Sequence, residues 1–122
     1  MDQQILLGLY RYMVQARHID HVEKALTNRG EAFFHLSGAG HDAIVALPPH
    51  LTSEDWLHCH SRDRALLLAR GISTRSCFDS LFSNNHGPSR GRRMTPFMSD
   101  PALHILSMVT PTANNALQAI GV

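Results

Sequence analysis

Phe33-Phe34-His35-Leu36-Ser37-Gly38-Ala39-Gly40-His41-Asp42-Ala43 is a glycine-punctuated turn that carries a histidine into an expected helix. Farther on, Ser61-Arg62-Asp63-Arg64-Ala65-Leu66-Leu67-Leu68-Ala69-Arg70-Gly71 sets an arginine at the expected start of another helix, where free backbone N–H groups favour an anion. These two stretches organise the fold, because each ties a helix to a polar turn.

Before the first stretch, Ile5, Leu9, Tyr12, Ala16, Ile19 and Leu26 recur at helical spacing, widened by Leu6, Met13 and Val22. The spacing predicts one long amphipathic helix over 3–29, capped by Asp2 and closed by Arg29 and Gly30. Asp20 and Lys24 are expected to pair one turn apart on its outer face. A second helix is expected over 37–47, opened by Ser37 and ended by Pro48-Pro49, which cannot continue a hydrogen-bond ladder.

Trp56 to Cys59 reads as extended, followed by a third helix over 62–70 with its stop at Gly71, and a fourth over 74–83 capped by Ser73 or Thr74. Helical periodicity vanishes from Asn84 to Pro101, a stretch rich in Gly, Pro, Ser and Arg whose length implies ordering by something outside it. Leu103 to Val109 suits a strand or buried extended segment, and a last helix, cut short by the terminus, is expected from about 112. The fold class read from these patterns is mainly α, in a single segment over 1–122.

With 122 residues and 43% apolar content, the chain has material for one modest core. Its formal charge of +1 argues against nucleic-acid binding driven by phosphate attraction and against a polybasic membrane surface. Two cysteines are too few for a disulfide scaffold, and no apolar run reaches the roughly twenty residues of a membrane span. The expected setting is the cytoplasm, or an organelle matrix in a eukaryote.

Several residues invite chemistry. Arg62 is suited to hold a diphosphate through charge-assisted bonds, or else to pair with Asp63 or Glu54 at the surface. His35, between two helices, is suited to shuttle a proton, or else packs on the first helix. His41 reads as structural. His58 and His60 alternate as zinc or copper ligands would on a strand, but no second spaced pair completes a site, so no metal site is assigned and the cluster reads as polar packing. Ser89-Arg90-Gly91-Arg92-Arg93-Met94 is a cationic loop suited to phosphate, to a subunit interface or to plain solvation.

Taken in order, Ala16-Arg17-His18-Ile19-Asp20, the Phe33–Ala43 stretch, Arg62-Asp63 and Gly91-Arg92-Arg93-Met94 resemble the N-terminal part of the alpha-type subunit of thiamine-diphosphate-dependent 2-oxo acid dehydrogenases, particularly the branched-chain type and its fused alpha-beta relatives. Pro111 to Gly121 continues the likeness. The resemblance implies part of an α/β cofactor-binding fold, oxidative decarboxylation of a 2-oxo acid with acyl transfer to lipoyl, and thiamine diphosphate with magnesium as cofactors. It places the diphosphate arginine on Arg62, adjoining Ser61, and the active-site histidine on His35. Where the family usually has tyrosine before that arginine and histidine two residues after it, this chain has Ser61 and Arg64.

The family's magnesium-binding Gly-Asp-Gly motif and downstream asparagine are expected to lie beyond Val122. The resemblance therefore implies that this chain alone does not bind the cofactor and is inactive. It also implies a beta-type subunit or second copy of the chain as partner, a lipoyl-bearing acyltransferase, and a homo-oligomer, with neither nucleic acid nor membrane. From a different class, the long helix alone fits a non-catalytic dimerisation or interaction module.

Overall fold

The computed structural model describes residues 2–111 and 113–121. Its first helix, α1, spans Gln3–Asn28, as the periodicity predicts. The Asp2 side chain accepts from the Gln4 amide at 3.2 Å, and Gly30 adopts φ +75° just beyond the last turn. Ala16 and Ile19 are fully buried, with Leu9, Tyr12 and Met13 packed partly beneath them, whereas Ile5, Leu6, Leu7, Tyr10 and Val14 remain exposed. The N-terminal half of α1 thus projects an uncovered apolar face.

The expected helix over 37–47 shrinks to a single 3-10 turn, Asp42–Ala46, followed by another over Pro48–His50. Gly40 takes φ +89°, which ends any helical run from the left, and the prolines end it from the right. Ser37 caps no helix: its hydroxyl donates to Asp20 and accepts from the Ala39 amide within the turn, at 3.2 Å.

Helix α2 spans Arg64–Arg70, beginning two residues later than expected. Ser61 and Arg62 therefore lie in the preceding turn. Ala65, Leu66, Leu67 and Leu68 are all buried: a helix apolar on every side must sit inside, and α2 packs between α1 and the Asp42–Ala46 turn. Gly71, at φ +120°, ends it. Helix α3 spans Thr74–Leu81, shorter than 74–83, with the Ser73 hydroxyl accepting from the Ser76 amide at 3.0 Å and Cys77 and Leu81 facing the core.

Arg70 closes the far end of α2. Its guanidinium donates to the backbone carbonyls of Leu103, Thr52, Ser53 and Asp55, so one side chain fastens two separate loops to the helix. Beside this knot, Leu57 donates to His104 O and Leu106 donates to Leu57 O, both at 2.8 Å. The exchange forms one isolated parallel bridge between Leu57 and Ile105, and no strand forms among the described residues. Trp56 stacks on His104 across the same seam, with ring centroids 4.6 Å apart.

Residues 84–101 are held in part by residues outside the segment, as expected, and those residues belong to the same chain. Asn84 Nδ2 donates to Asp79 on α3, its Oδ1 accepts from the His86 and Gly87 amides, and Arg93 donates to the Ser99 and Ser107 hydroxyls. Gly91 makes the reversal possible, since a Cβ there would meet Ser83 O at 2.3 Å. A 3-10 turn, Pro101–Leu103, follows under an Asp100 cap. The last helix, α4, spans Asn115–Ile120, and Thr112, where it was expected to begin, lies outside the described residues. The architecture is mainly helical, and no described helix is long and apolar enough to cross a membrane.

Candidate functional site

Asp20 sits on the core-facing side of α1, buried to 5% exposure, not paired with Lys24 on the outer face. Its Oδ1 accepts from the Gly38 amide and contacts His35 Nε2, each at 3.1 Å, and its Oδ2 accepts from the Ser37 hydroxyl at 2.8 Å. Burial penalises this carboxylate, but the bonds from Ser37, Gly38 and His35 together outweigh it and hold its pKa below the ordinary value. An ionised carboxylate only accepts, so His35 carries a proton on Nε2 toward Asp20. One acid on α1 thereby shapes the whole turn from His35 to Gly38.

Arg62 reaches the same turn from the other side, donating from Nη1 to the Ser37 carbonyl at 2.7 Å. Among the described residues no carboxylate pairs with its guanidinium, so Glu54 and Asp63 are not its partners. Gly38 allows the close approach: a Cβ there would lie 2.9 Å from the Arg62 carbonyl oxygen. Ser61 is half-buried in the turn that carries Arg62. His35 and Arg62, distant in sequence, thus stand at two ends of a network running Arg62–Ser37–Asp20–His35. Beside it opens a pocket of about 370 Å³ whose walls include Arg17, His21 and Lys24 as well as Asp20, His35 and Ser37. The cationic rim of Arg17 and Lys24 suits an anionic ligand, and Arg62, which does not line this pocket, approaches it through the Ser37 carbonyl.

The other candidates scatter. His58 and His60 do not converge: His58 has both ring nitrogens buried with no partner among the described residues, while His60 stacks on His41 at 5.6 Å between centroids. Arg93, from the cationic loop, is used up in holding that loop to Ser99 and Ser107. Cys59 and Cys77 are free and buried. Burial pushes the Cys59 thiol up to about 12 and the Cys77 thiol up to about 11. We expect neither to react with iodoacetamide in the folded chain and both to react in urea. Mass spectrometry distinguishes these states, and native-state labelling at Cys59 would contradict the packing.

Sequence reasoning missed the ionic centre of the α1–α2 contact. Arg64 Nη2 lies 2.7 Å from Glu23 Oε2, with side-chain exposures of 6% and 1%. Among the described residues, Glu23 Oε1 and Arg64 Nη1 have no hydrogen-bond partner. Burial pushes the Glu23 carboxyl above its ordinary value, against the pull of Arg64. Glu23 falls one turn after Ile19 on the buried stripe, which was the available signal.

A mainly helical chain with a histidine held by a buried carboxylate and an unpaired arginine on the adjoining turn defines the class of site. No protein-family model matches the chain. Among curated proteins, it is similar to the 2-oxoisovalerate dehydrogenase subunit alpha, mitochondrial, of Caenorhabditis elegans, with 22% identity over 121 residues. The match takes in 98% of this chain but 28% of that protein, so the chain spans little more than a quarter of its relative's length. The likeness supports a distant relationship to that dehydrogenase subunit.

Proposed function

We propose that this chain forms the diphosphate-holding side of a thiamine-diphosphate-dependent 2-oxo acid dehydrogenase alpha-type subunit, part of an α/β cofactor-binding fold. The observation that carries the reading is the Arg62–Ser37–Asp20–His35 network, which joins the two residues the family resemblance singles out. The local chemistry fits the cofactor: a guanidinium free of carboxylates beside a pocket rimmed by cations. When bound, thiamine diphosphate supplies the electron sink for loss of carbon dioxide from a 2-oxo acid.

In this reading Arg62, with Ser61 beside it, binds the diphosphate, and the Ser37 carbonyl holds the guanidinium in place. Asp20 orients His35 through its Nε2, so that Nδ1 takes or returns a proton at the substrate. The 122 residues include no Gly-Asp-Gly segment, so magnesium ligation needs groups from outside them, and turnover also needs a beta-type subunit or a second copy of the chain. Acyl transfer would then engage a lipoyl-bearing acyltransferase.

Calorimetric titration of the purified chain with thiamine diphosphate and with thiamine tests the diphosphate role. Preference for the diphosphate form, removed by Arg62→Met, is the expected result. Equal affinity of the unaltered chain for both, or a preference that survives Arg62→Met, would refute it. A second reading, a helical dimerisation module, draws support from the exposed Leu6, Leu7, Tyr10 and Val14 on α1. It predicts a dimer in sedimentation and no preference for the diphosphate.

A further inference from the structure

Outside the Asp20 network, one cluster of metal-ligating side chains among the described residues closes on itself. His41, at the end of the glycine turn, meets His60 and Asp63 from the turn that leads into α2, with one ligand atom of each within 4.8 Å of the others. We propose that these three residues bind one divalent transition-metal ion of the zinc and cobalt class, through two imidazole nitrogens and one carboxylate oxygen, with the remaining position open to solvent.

The spacing carries the proposal. Ligands about 2.1 Å from a tetrahedral ion stand about 3.4 Å apart, and His41 Nδ1 already lies 3.6 Å from Asp63 Oδ1. The His60 ring stacks on that of His41, 17° from parallel, and because an imidazole coordinates in its own plane, His60 turns out of this stack to face the same ion. The Asp63 carboxylate is divided in its duties: the His60 amide donates to Oδ2 at 2.7 Å, which orients the group and leaves Oδ1 for the ion. Asp63 would otherwise be positioned to cap α2, yet its side chain makes no capping bond.

His60 Nδ1 accepts a 3.2 Å bond from the Arg62 amide, which ion binding through Nε2 keeps and binding through Nδ1 replaces. Two nitrogen donors and one oxygen favour zinc, cobalt, nickel or copper over magnesium or calcium. His41 is 45% exposed at its side chain, so the ion has a path from solvent. The sequence pattern is a histidine three residues before an aspartate, completed from another turn, and it uses His60 without His58.

Cobalt(II) titration followed by visible absorption tests the site, with zinc competition and calorimetry for stoichiometry. The unaltered chain should take up one ion with tetrahedral absorption that zinc abolishes. His41→Ala and His60→Ala should each weaken binding more than about tenfold. Asp63→Asn, which keeps an oxygen for the His60 amide, should do the same without loss of fold, as circular dichroism will report. His86→Ala serves as control in a chain of nine histidines and should bind as before. Absence of a one-to-one site in the unaltered chain would overturn the proposal, as would tight binding that survives His41→Ala and His60→Ala or disappears with His86→Ala.

Discussion

Replacing Arg64 with methionine should destabilise the chain by about 3–5 kcal/mol, because Glu23 is then a carboxylate at 1% exposure with no counter-charge. Domains of this size are typically stable by about 5–15 kcal/mol, so the variant would lose a large share of its margin. Urea unfolding followed by circular dichroism measures the loss. The double variant Glu23→Leu/Arg64→Met should recover most of it, since a buried ion pair and a well-packed apolar pair of similar volume are often equivalent. Failure of the double variant to recover would mean that the pair fixes the α1–α2 packing specifically.

Asp20→Ala should cost about 2–4 kcal/mol, as the Gly38 amide, the Ser37 hydroxyl and His35 lose a charged acceptor in a buried place. The loss should be local as well as global: amide exchange at Gly38 should quicken more than exchange within α2, because the turn is released while the core remains. The pH dependence has a definite sign. The Asp20 pKa is lowered on folding, so its contribution is complete above the ordinary carboxylate value of about 3.9 and is lost as pH falls below it. Glu23 runs the other way, its raised pKa making stability decline as pH rises through the raised value. The stability difference between the unaltered chain and Asp20→Asn should therefore narrow below about pH 4. A constant difference down to acid unfolding would contradict the assignment.

The long helix was legible because its signal is long: an apolar stripe, an aspartate cap and a glycine stop agree over many residues. The same holds for α3, whose serine cap and apolar face lie close together in sequence. The expected helix over 37–47 failed for a tertiary reason. Ser37 resembles a cap in sequence, but Asp20 on a distant turn of α1 claims its hydroxyl, and Gly40 adopts a left-handed conformation. Asp20 itself was assigned to the solvent face because a lysine stood four residues on, and local pairing concealed a long-range partner.

The site divides in the same way. His35 and Arg62 were visible as residue types in suggestive turns, and the resemblance to the dehydrogenase family ordered them. What joins them, Ser37 and Asp20, could be found only in three dimensions, because each link crosses at least 15 positions of sequence. Arg70 shows the limit most plainly. As a cation in the last turn of a helix it reads as dipole compensation, yet it fastens the carbonyls of Thr52, Ser53, Asp55 and Leu103 at once.

Trp56 is the only tryptophan of the chain, and it lies against His104 where the 56–59 segment meets the 104–106 segment. All indole emission from this molecule therefore originates at one seam, held by a single bridge and the reach of Arg70. The light it gives off is a local gauge, built from native residues, of whether the C-terminal third of the chain is latched to the helical body or has swung free.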